Sequence, residues 1–214
     1  RAHDYLENNL GVELIDGRRA TRLSVPEKAI WLDDGRAVRF DALVIATGAR
    51  PTMMPISGCG LPGVFGLRDL EDLDGLDRFT ETSRRAVVIG GGNVGLQVSE
   101  ALLHRGLQVT IVVRSAHLLS QMVDEQAGRR VGELFARHGA RLRMGRDVVE
   151  IAGDGRVERV VLDDGERVEA DVVVVGKGIQ PNIEWLAGSG VGTARGVVVD
   201  AAGRTSVEHV FAAG

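Results

Sequence analysis

A single cysteine, Cys59, stands in the whole 214-residue chain. One thiol excludes an internal disulfide and any C-x-x-C or C-x-x-x-x-C redox pair, and it fits a reducing, cytoplasmic setting. Long apolar runs are also lacking: none approaches the roughly 20 residues of a membrane span, and the amino end carries no signal-peptide pattern, so no membrane association is expected. Positive charge is in deficit, with 26 Lys and Arg against 30 Asp and Glu. That balance leaves no electrostatic footprint for nucleic acid, and clusters such as Arg84-Arg85 and Arg141 to Arg146 read as solvated surface. The five histidines are scattered without metal-ligand spacing, and no Ser/His/Asp grouping suggests hydrolysis. No catalytic side chain and no metal site is therefore assigned. What is present is an ordinary globular composition, 44% hydrophobic, in a chain long enough for one large domain or two small ones.

The most informative stretch is Val87-Val88-Ile89-Gly90-Gly91-Gly92-Asn93-Val94-Gly95, where a β-branched apolar run breaks into glycines and then into helix formers. Gly90, Gly92 and Gly95 fit G-x-G-x-x-G: one glycine for the tight turn, one for close backbone approach to a pyrophosphate, one for packing of helix on strand. The phosphates would rest on free N–H groups at the helix N-terminus, around Asn93 and Val94. The spacing predicts a helix from Val94 to about Arg105 with Val94, Val98, Ala101 and Leu102 on one face, stopped by Gly106. A second strand follows at Gln108 to Val113. The order β, glycine turn, α, β is the one the dinucleotide fingerprint requires; a phosphate-free structural turn is the competing reading.

Upstream, a helix over Asp4 to Leu10 and a strand over Val12 to Ile15 are expected, then short strands around the hairpin turn Asp33-Asp34-Gly35. Ala42 to Ala46 is continuously apolar and reads as a central buried strand. Residues 51 to 67 are rich in proline and glycine and read as a linker. A helix with Leu70, Leu73, Leu76 and Phe79 follows, capped by Asp69. Further on come a helix over Val123 to His138 with an apolar stripe at Val123, Ala127, Val131, Leu134 and Phe135, a meander over Asp147 to Val168, and a buried strand at Val172 to Val175. Gly196 to Asp200 and Val210 to Gly214 read as strands.

The two halves repeat each other. Leu32 to Asp41 (LDDGRAVRFD) aligns with Leu162 to Asp171 (LDDGERVEAD) at a constant offset of 130, and the alignment continues through Gly48 with Gly178 and Pro51 with Pro181. Upstream, Gly11 to Leu14 matches Gly139 to Leu142 at an offset of 128. This is a duplicated unit. The second copy holds its glycine fingerprint at Gly90, ahead of its LDDG turn; the counterpart for the first copy would precede residue 1, so the chain is expected to be an internal slice of a longer protein.

These segments, DALVIATGARP (Asp41 to Pro51), GLPGVFGLRD (Gly60 to Asp69), VVIGGGNVG (Val87 to Gly95), GKGIQPN (Gly176 to Asn182) and TSVEHVFAAG (Thr205 to Gly214), resemble in order and spacing the two-dinucleotide-domain flavoproteins of the pyridine nucleotide-disulfide oxidoreductase superfamily. Without a cysteine pair, the chain is most similar to the NAD(P)H-dependent reductases of rubredoxin, ferredoxin or nitrite-reductase type. Coenzyme A-disulfide reductases and NADH peroxidases are similar too, and their single active cysteine would lie before residue 1. The resemblance implies an α/β fold: a Rossmann-like NAD(P)H-binding domain with a three-layer arrangement and β-meander, residues 69 to 189, inserted into a second, incomplete FAD-binding domain of the same type, residues 1 to 68 and 190 to 214. It implies FAD near Ala46, Thr47, Gly48 and Arg50. Hydride would pass from NAD(P)H to FAD and on to an electron acceptor, a small redox protein or a small molecule, in a protein that is a candidate homodimer. A non-catalytic redox-sensor module is the reading from another class.

The choice of nicotinamide cofactor turns on the end of the second fingerprint strand. An acid there binds the ribose 2′-OH of NAD, whereas an Arg accommodates the 2′-phosphate of NADP. Val113 and Arg114 stand there, which favours NADPH; a solvated loop arginine is the plain alternative. Gln97 occupies a position where the family commonly has a glutamate that pairs with a lysine near the flavin, and Glu100 reads as an exposed helix carboxylate. Gly178, at the turn after the last buried strand, would let nicotinamide approach backbone, or serve only a positive-φ turn, and Gly176 is taken as cofactor-binding with it. His117, Cys59, Met53, Met54, Trp31 and Trp185 read as packing or incidental residues.

Overall fold

Local chemistry sets most of the elements. In the computed structural model, which describes residues 2–214, α1 (Ala2–Leu10) leads to a meander of β1 (Ala20–Ser24), β2 (Ala29–Leu32) and β3 (Ala37–Arg39), then β4 (Leu43–Ile45). The chain passes on through β5 (Ala49–Pro51) and β6 (Val64–Phe65) to α2 (Leu70–Thr80), β7 (Arg85–Ile89), α3 (Asn93–His104), β8 (Gln108–Val113) and α4 (Glu125–Arg137). Next come β9 (Arg141–Met144), a second meander of β10 (Val148–Ala152), β11 (Arg159–Leu162) and β12 (Arg167–Glu169), then β13 (Val172–Val175), β14 (Ile179–Pro181) and β15 (Val210–Ala212). Two compact units result, one of Arg1–Ala49 with Pro181–Gly214 and the other of Arg50–Gln180.

In the second unit, a five-stranded parallel sheet runs β6-β13-β7-β8-β9. Helices α2, α3 and α4 go with one apolar cluster, around Val88, Ile111 and Val174, and the β10-β11-β12 meander goes with another, around Val87, Ile89, Ile151 and Val173. Alternate residues of β7 and β13 therefore face different clusters, and every residue of β13 is buried, as a sheet covered on both faces demands. Helix α2 starts where Asp69 accepts a hydrogen bond from Asp72 N (2.9 Å), and α4 where Asp124 accepts one from Ala127 N (2.8 Å). The boundaries between units differ from the sequence expectation. Residues 50 to 68 do not stay with the first unit, because β6 pairs with β13, Ile151 N donates to Ser57 O and Val157 N to Pro62 O; residues 181 to 189 go to the first unit.

The duplication is visible down to single hydrogen bonds. Both meanders carry a bulge at the same repeat position, between Ala20 and Arg22 and between Val148 and Glu150. Asp34 Oδ1 accepts from Arg36 N as Asp164 Oδ1 does from Glu166 N, and Arg18–Asp34 (3.3 Å) has its twin in Arg146–Asp164 (2.7 Å). A second correspondence escapes the sequence reading: β6 pairs parallel with β13, and β15 with β4, each entered by a positive-φ residue, Gly63 (+92°) and His209 (+61°).

Several expectations fail for physical reasons. Val12 to Ile15 forms no strand; Val12 and Ile15 are exposed and pair with nothing among the described residues. β4 is not buried on both sides: Leu43 and Ile45 point into a core with Leu23, Leu186 and Val210, but Val44 is 61% exposed. β4 pairs only with β15 among the described residues, whereas β13 has a neighbour on each edge. Gly196 to Asp200 is irregular apart from one bridge, Thr193 to Val197. Helix α3 buries Gly95, Leu96, Ser99 and Leu102, so its inner face is rotated from the expected stripe and leaves Val94 and Ala101 exposed. In α4 the innermost positions are Gly128 and Gly132, and Leu134 is exposed.

Candidate functional site

The carboxyl ends of β7, β8 and β13 meet at one cavity of about 640 Å³, floored by Gly90, Gly91 and Gly92. Two of the fingerprint glycines, Gly90 and Gly95, have a steric reason to be glycine. Gly90 has φ +118°, and a Cβ there would lie 2.4 Å from Gly176 O. A Cβ on Gly95 would lie 2.2 Å from Gly90 O, so the start of α3 rests against the turn. Gly92 differs from both, because a Cβ there would meet nothing within 4 Å. Its missing side chain leaves open space above the backbone. Gly92 is also the N-cap of α3 and supplies no side-chain hydrogen bond, and the first turn holds no acid, so the N–H groups of Asn93 and Val94, which line the cavity, are left without a capping side chain.

Gly176 belongs to the same construction. Its N–H donates to Ile89 O (2.7 Å), and its Cα lies so near Gly95 that a Cβ would stand 3.2 Å from the Gly95 Cα. Gly178 has φ +88° with open space around it, so the turn conformation explains it without any close approach. Gly178 O accepts from Thr52 N (2.9 Å).

At the far end of β8, Val113 is 4% exposed and packs beneath the turn, where a Cβ on Gly91 would meet its methyl groups at 3.0 Å. Arg114 is exposed at the rim, and its guanidinium has no partner among the described residues. No carboxylate lines the cavity; its charged lining groups are Arg114 and Lys177. The facing wall is the segment after β8, pinned by Leu119 N donating to Gly91 O (2.8 Å), with Leu119 itself at φ +54°. Ser115, Ser120, Gln121 and Met122 follow that wall. Gln97 is not brought in: it is exposed on α3, outside the cavity lining. His117 instead packs against Gly128 of α4 and hydrogen-bonds Leu118 O (2.9 Å). Cys59 is half-buried against the meander-side core.

Sequence reasoning missed Gly91, Leu119 and Lys177. Lys177 was findable as a cation between two glycines at the end of a buried strand. Leu119 carried no signal, since its left-handed backbone belongs to a residue type that rarely adopts it.

In the first unit, Ala46, Thr47 and Gly48 follow β4 and are exposed. Gly48 has φ +63°, and the turn is braced by Thr47 Oγ1 donating to Asn182 O (2.7 Å) and Asn182 Nδ2 donating to Thr47 O (3.0 Å). The Thr47 hydroxyl is therefore engaged as a brace. Arg50, exposed on β5, belongs to the second unit and so falls outside the unit that holds Ala46 to Gly48.

A covered parallel sheet, a glycine turn with an open backbone face and an uncapped helix meet at this cavity, the same arrangement of elements as in dinucleotide-binding folds. The family model described as pyridine nucleotide-disulphide oxidoreductase matches residues 3–214. The chain belongs to that family. It is 33% identical over 210 residues to a nitrite reductase [NAD(P)H] of Bacillus subtilis (strain 168), covering 98% of this chain and 26% of that protein. To the ferredoxin–NAD(+) reductase component of a biphenyl dioxygenase system of Paraburkholderia xenovorans (strain LB400) it is 35% identical, over 98% of this chain and 51% of that one. The crystal structure of a ferredoxin reductase from Rhodopseudomonas palustris superposes with a TM-score of 0.91 at 32% identity, over 99% of this chain and 52% of that one. The chain thus spans between about a quarter and a half of the length of these relatives. The family is one of FAD-dependent NAD(P)H oxidoreductases.

Proposed function

We propose that the second unit binds NADPH in preference to NADH, and that the chain is part of an FAD-dependent oxidoreductase passing reducing equivalents to a small redox protein or a small molecule. The observation that carries this reading is the cavity: an open glycine face and uncapped helix for the pyrophosphate, and an unpaired Arg114 in a lining without carboxylates. NADPH and FAD, when bound, would supply the hydride transfer, and the chain's own residues would bind, orient and shield them. Backbone N–H groups of α3 hold the phosphates, Gly90 and Gly95 let the helix approach closely enough to do so, and Arg114 forks onto the 2′-phosphate. Val113, buried and uncharged, places no repulsion there.

The first unit fits part of an FAD-binding domain. β4 matches β13 in the repeat, yet one of its edges pairs with no strand among the described residues, while β13 uses both. In this reading a strand carrying a further glycine turn occupies that edge, and Ala46 to Gly48 lie beside the flavin. Names of relatives, which include ferredoxin reductases, support a small electron-transfer protein as acceptor.

Parallel titration with NADPH and NADH, followed by nicotinamide fluorescence at fixed ionic strength, tests the cofactor assignment. NADPH is expected to bind about tenfold or more tightly, and Arg114→Ala to remove most of that difference while leaving NADH affinity nearly unchanged. Equal affinities in the unsubstituted chain would overturn the assignment to NADPH.

A further inference from the structure

The ion pair Lys177–Asp147 lies where the nucleotide reading does not use it. Lys177 follows β13 between Gly176 and Gly178 and lines the cavity; Asp147 precedes β10 and does not line it. Lys177 Nζ stands 2.5 Å from Asp147 Oδ1, with both side chains about a quarter exposed, 25% and 26%. The same Oδ1 accepts from Val148 N at 2.9 Å, which fixes the carboxylate and through it the ammonium. The pair is therefore a held dipole whose cationic partner, and not its anionic one, belongs to a residue that lines the cavity.

Strand order says which part of the cofactor that cation meets. From β7 the chain goes to β8 and β9 on one side of the sheet, while β13 and β6 lie on the other, so the crossover point is at the β7/β13 boundary. The adenosine half belongs to the β8 end, where Arg114 stands, and the pyrophosphate to the turn after β7. The nicotinamide half then lies over the end of β13, beside Lys177. NADPH and NADP⁺ carry the same phosphates and riboses, and differ in charge only at the ring, which is neutral when reduced and cationic when oxidised.

We propose that the Lys177–Asp147 pair sets the redox-state preference of the site, repelling the oxidised ring so that product leaves and reduced cofactor is retained. The proposal rests on the nicotinamide reading of this cavity. It makes Lys177 a specificity-determining residue and Asp147 a positioning residue that tempers it. In an effective dielectric of about 20, an uncompensated unit charge about 12 Å from the ring shifts the preference roughly tenfold, and a nearer one shifts it more.

The test is the ratio of dissociation constants, Kd(NADP⁺)/Kd(NADPH), on the full chain, with NADPH followed by fluorescence and NADP⁺ by displacement. Asp147→Asn keeps an acceptor for Val148 N and frees the ammonium, so the ratio rises. Lys177→Met leaves the carboxylate alone and lowers it. The double variant, carrying neither charge, falls between them and below the unsubstituted chain. Circular dichroism confirms that each variant folds. Ratios that stay within about twofold across this series overturn the proposal while leaving the cofactor assignment standing; absence of binding by either form in the unsubstituted chain overturns the nicotinamide reading and this inference with it.

Discussion

Among single residues, Asp171 carries the strongest electrostatic argument in the second unit. Its Oδ2 accepts from the backbone N–H groups of Arg84 and Arg85, both at 2.9 Å, and Arg85 Nη2 donates to Oδ1 at 2.7 Å. It thereby fixes the entry to β7, the strand that ends in the glycine turn. The Arg85 side chain first, then those two N–H groups, outweigh the cost of partial burial and hold the carboxyl down to about 2 from an ordinary 3.8. A carboxyl depressed by folding stabilises the fold above its unfolded pKa, and that contribution is lost as pH falls from about 4 through 2. A shift of this size corresponds to about 2 kcal/mol. Asp171→Asn is expected to lower stability by that order at pH 7 and by far less near pH 2, measured by urea unfolding with circular dichroism; fluorescence is the poorer probe, because Trp31 and Trp185 both lie in the other unit. Equal losses at the two pH values would remove the ionic explanation.

At the level of elements, the strand, turn and helix around Gly90 separate glycines that serve folding from one that serves binding. Gly95→Ala drives a methyl onto backbone at 2.2 Å, so α3 must move off the sheet, and a loss of about 3 kcal/mol or more is expected. Gly92→Ala meets open space and costs about 1 kcal/mol as a poorer N-cap, yet it puts a methyl where the phosphate would sit. A folded Gly92→Ala protein, checked by its melting curve, with NADPH affinity reduced at least about tenfold is the expected result; full affinity would mean that no phosphate sits against Gly92. This element was readable in advance because its glycines answer to backbone geometry, which leaves a fixed spacing. Helix faces were read less well. Val94 sits at the open end of α3 and Leu134 on the outer side of α4, while Gly128 and Gly132, which hydropathy ignores, take the close contacts. β4 was misjudged because an apolar run reports what a strand is built to meet, and the Val44 side chain is left 61% exposed. The pairing of Lys177 with Asp147 was not legible in the sequence, because Asp147 becomes its neighbour only after the sheet and meander are assembled.

For the whole molecule, the repeat turns the question of architecture into one of self-sufficiency. Both apolar clusters of the second unit, with every residue that lines the cavity, lie within Arg50–Gln180. Its sheet is covered by helices on one face and a meander on the other, and at about 130 residues it falls in the size range where one domain buries enough surface to fold alone. The first unit has one cluster, and β4 leaves an edge unpaired among the described residues. A chain cut to residues 50–180 is therefore expected to melt cooperatively and to keep the NADPH affinity of the longer chain within about threefold. Cooperative melting without binding would place a necessary part of the nicotinamide site outside those residues. A fragment that fails to fold would show that residues 50–180 do not bury enough surface to stand alone.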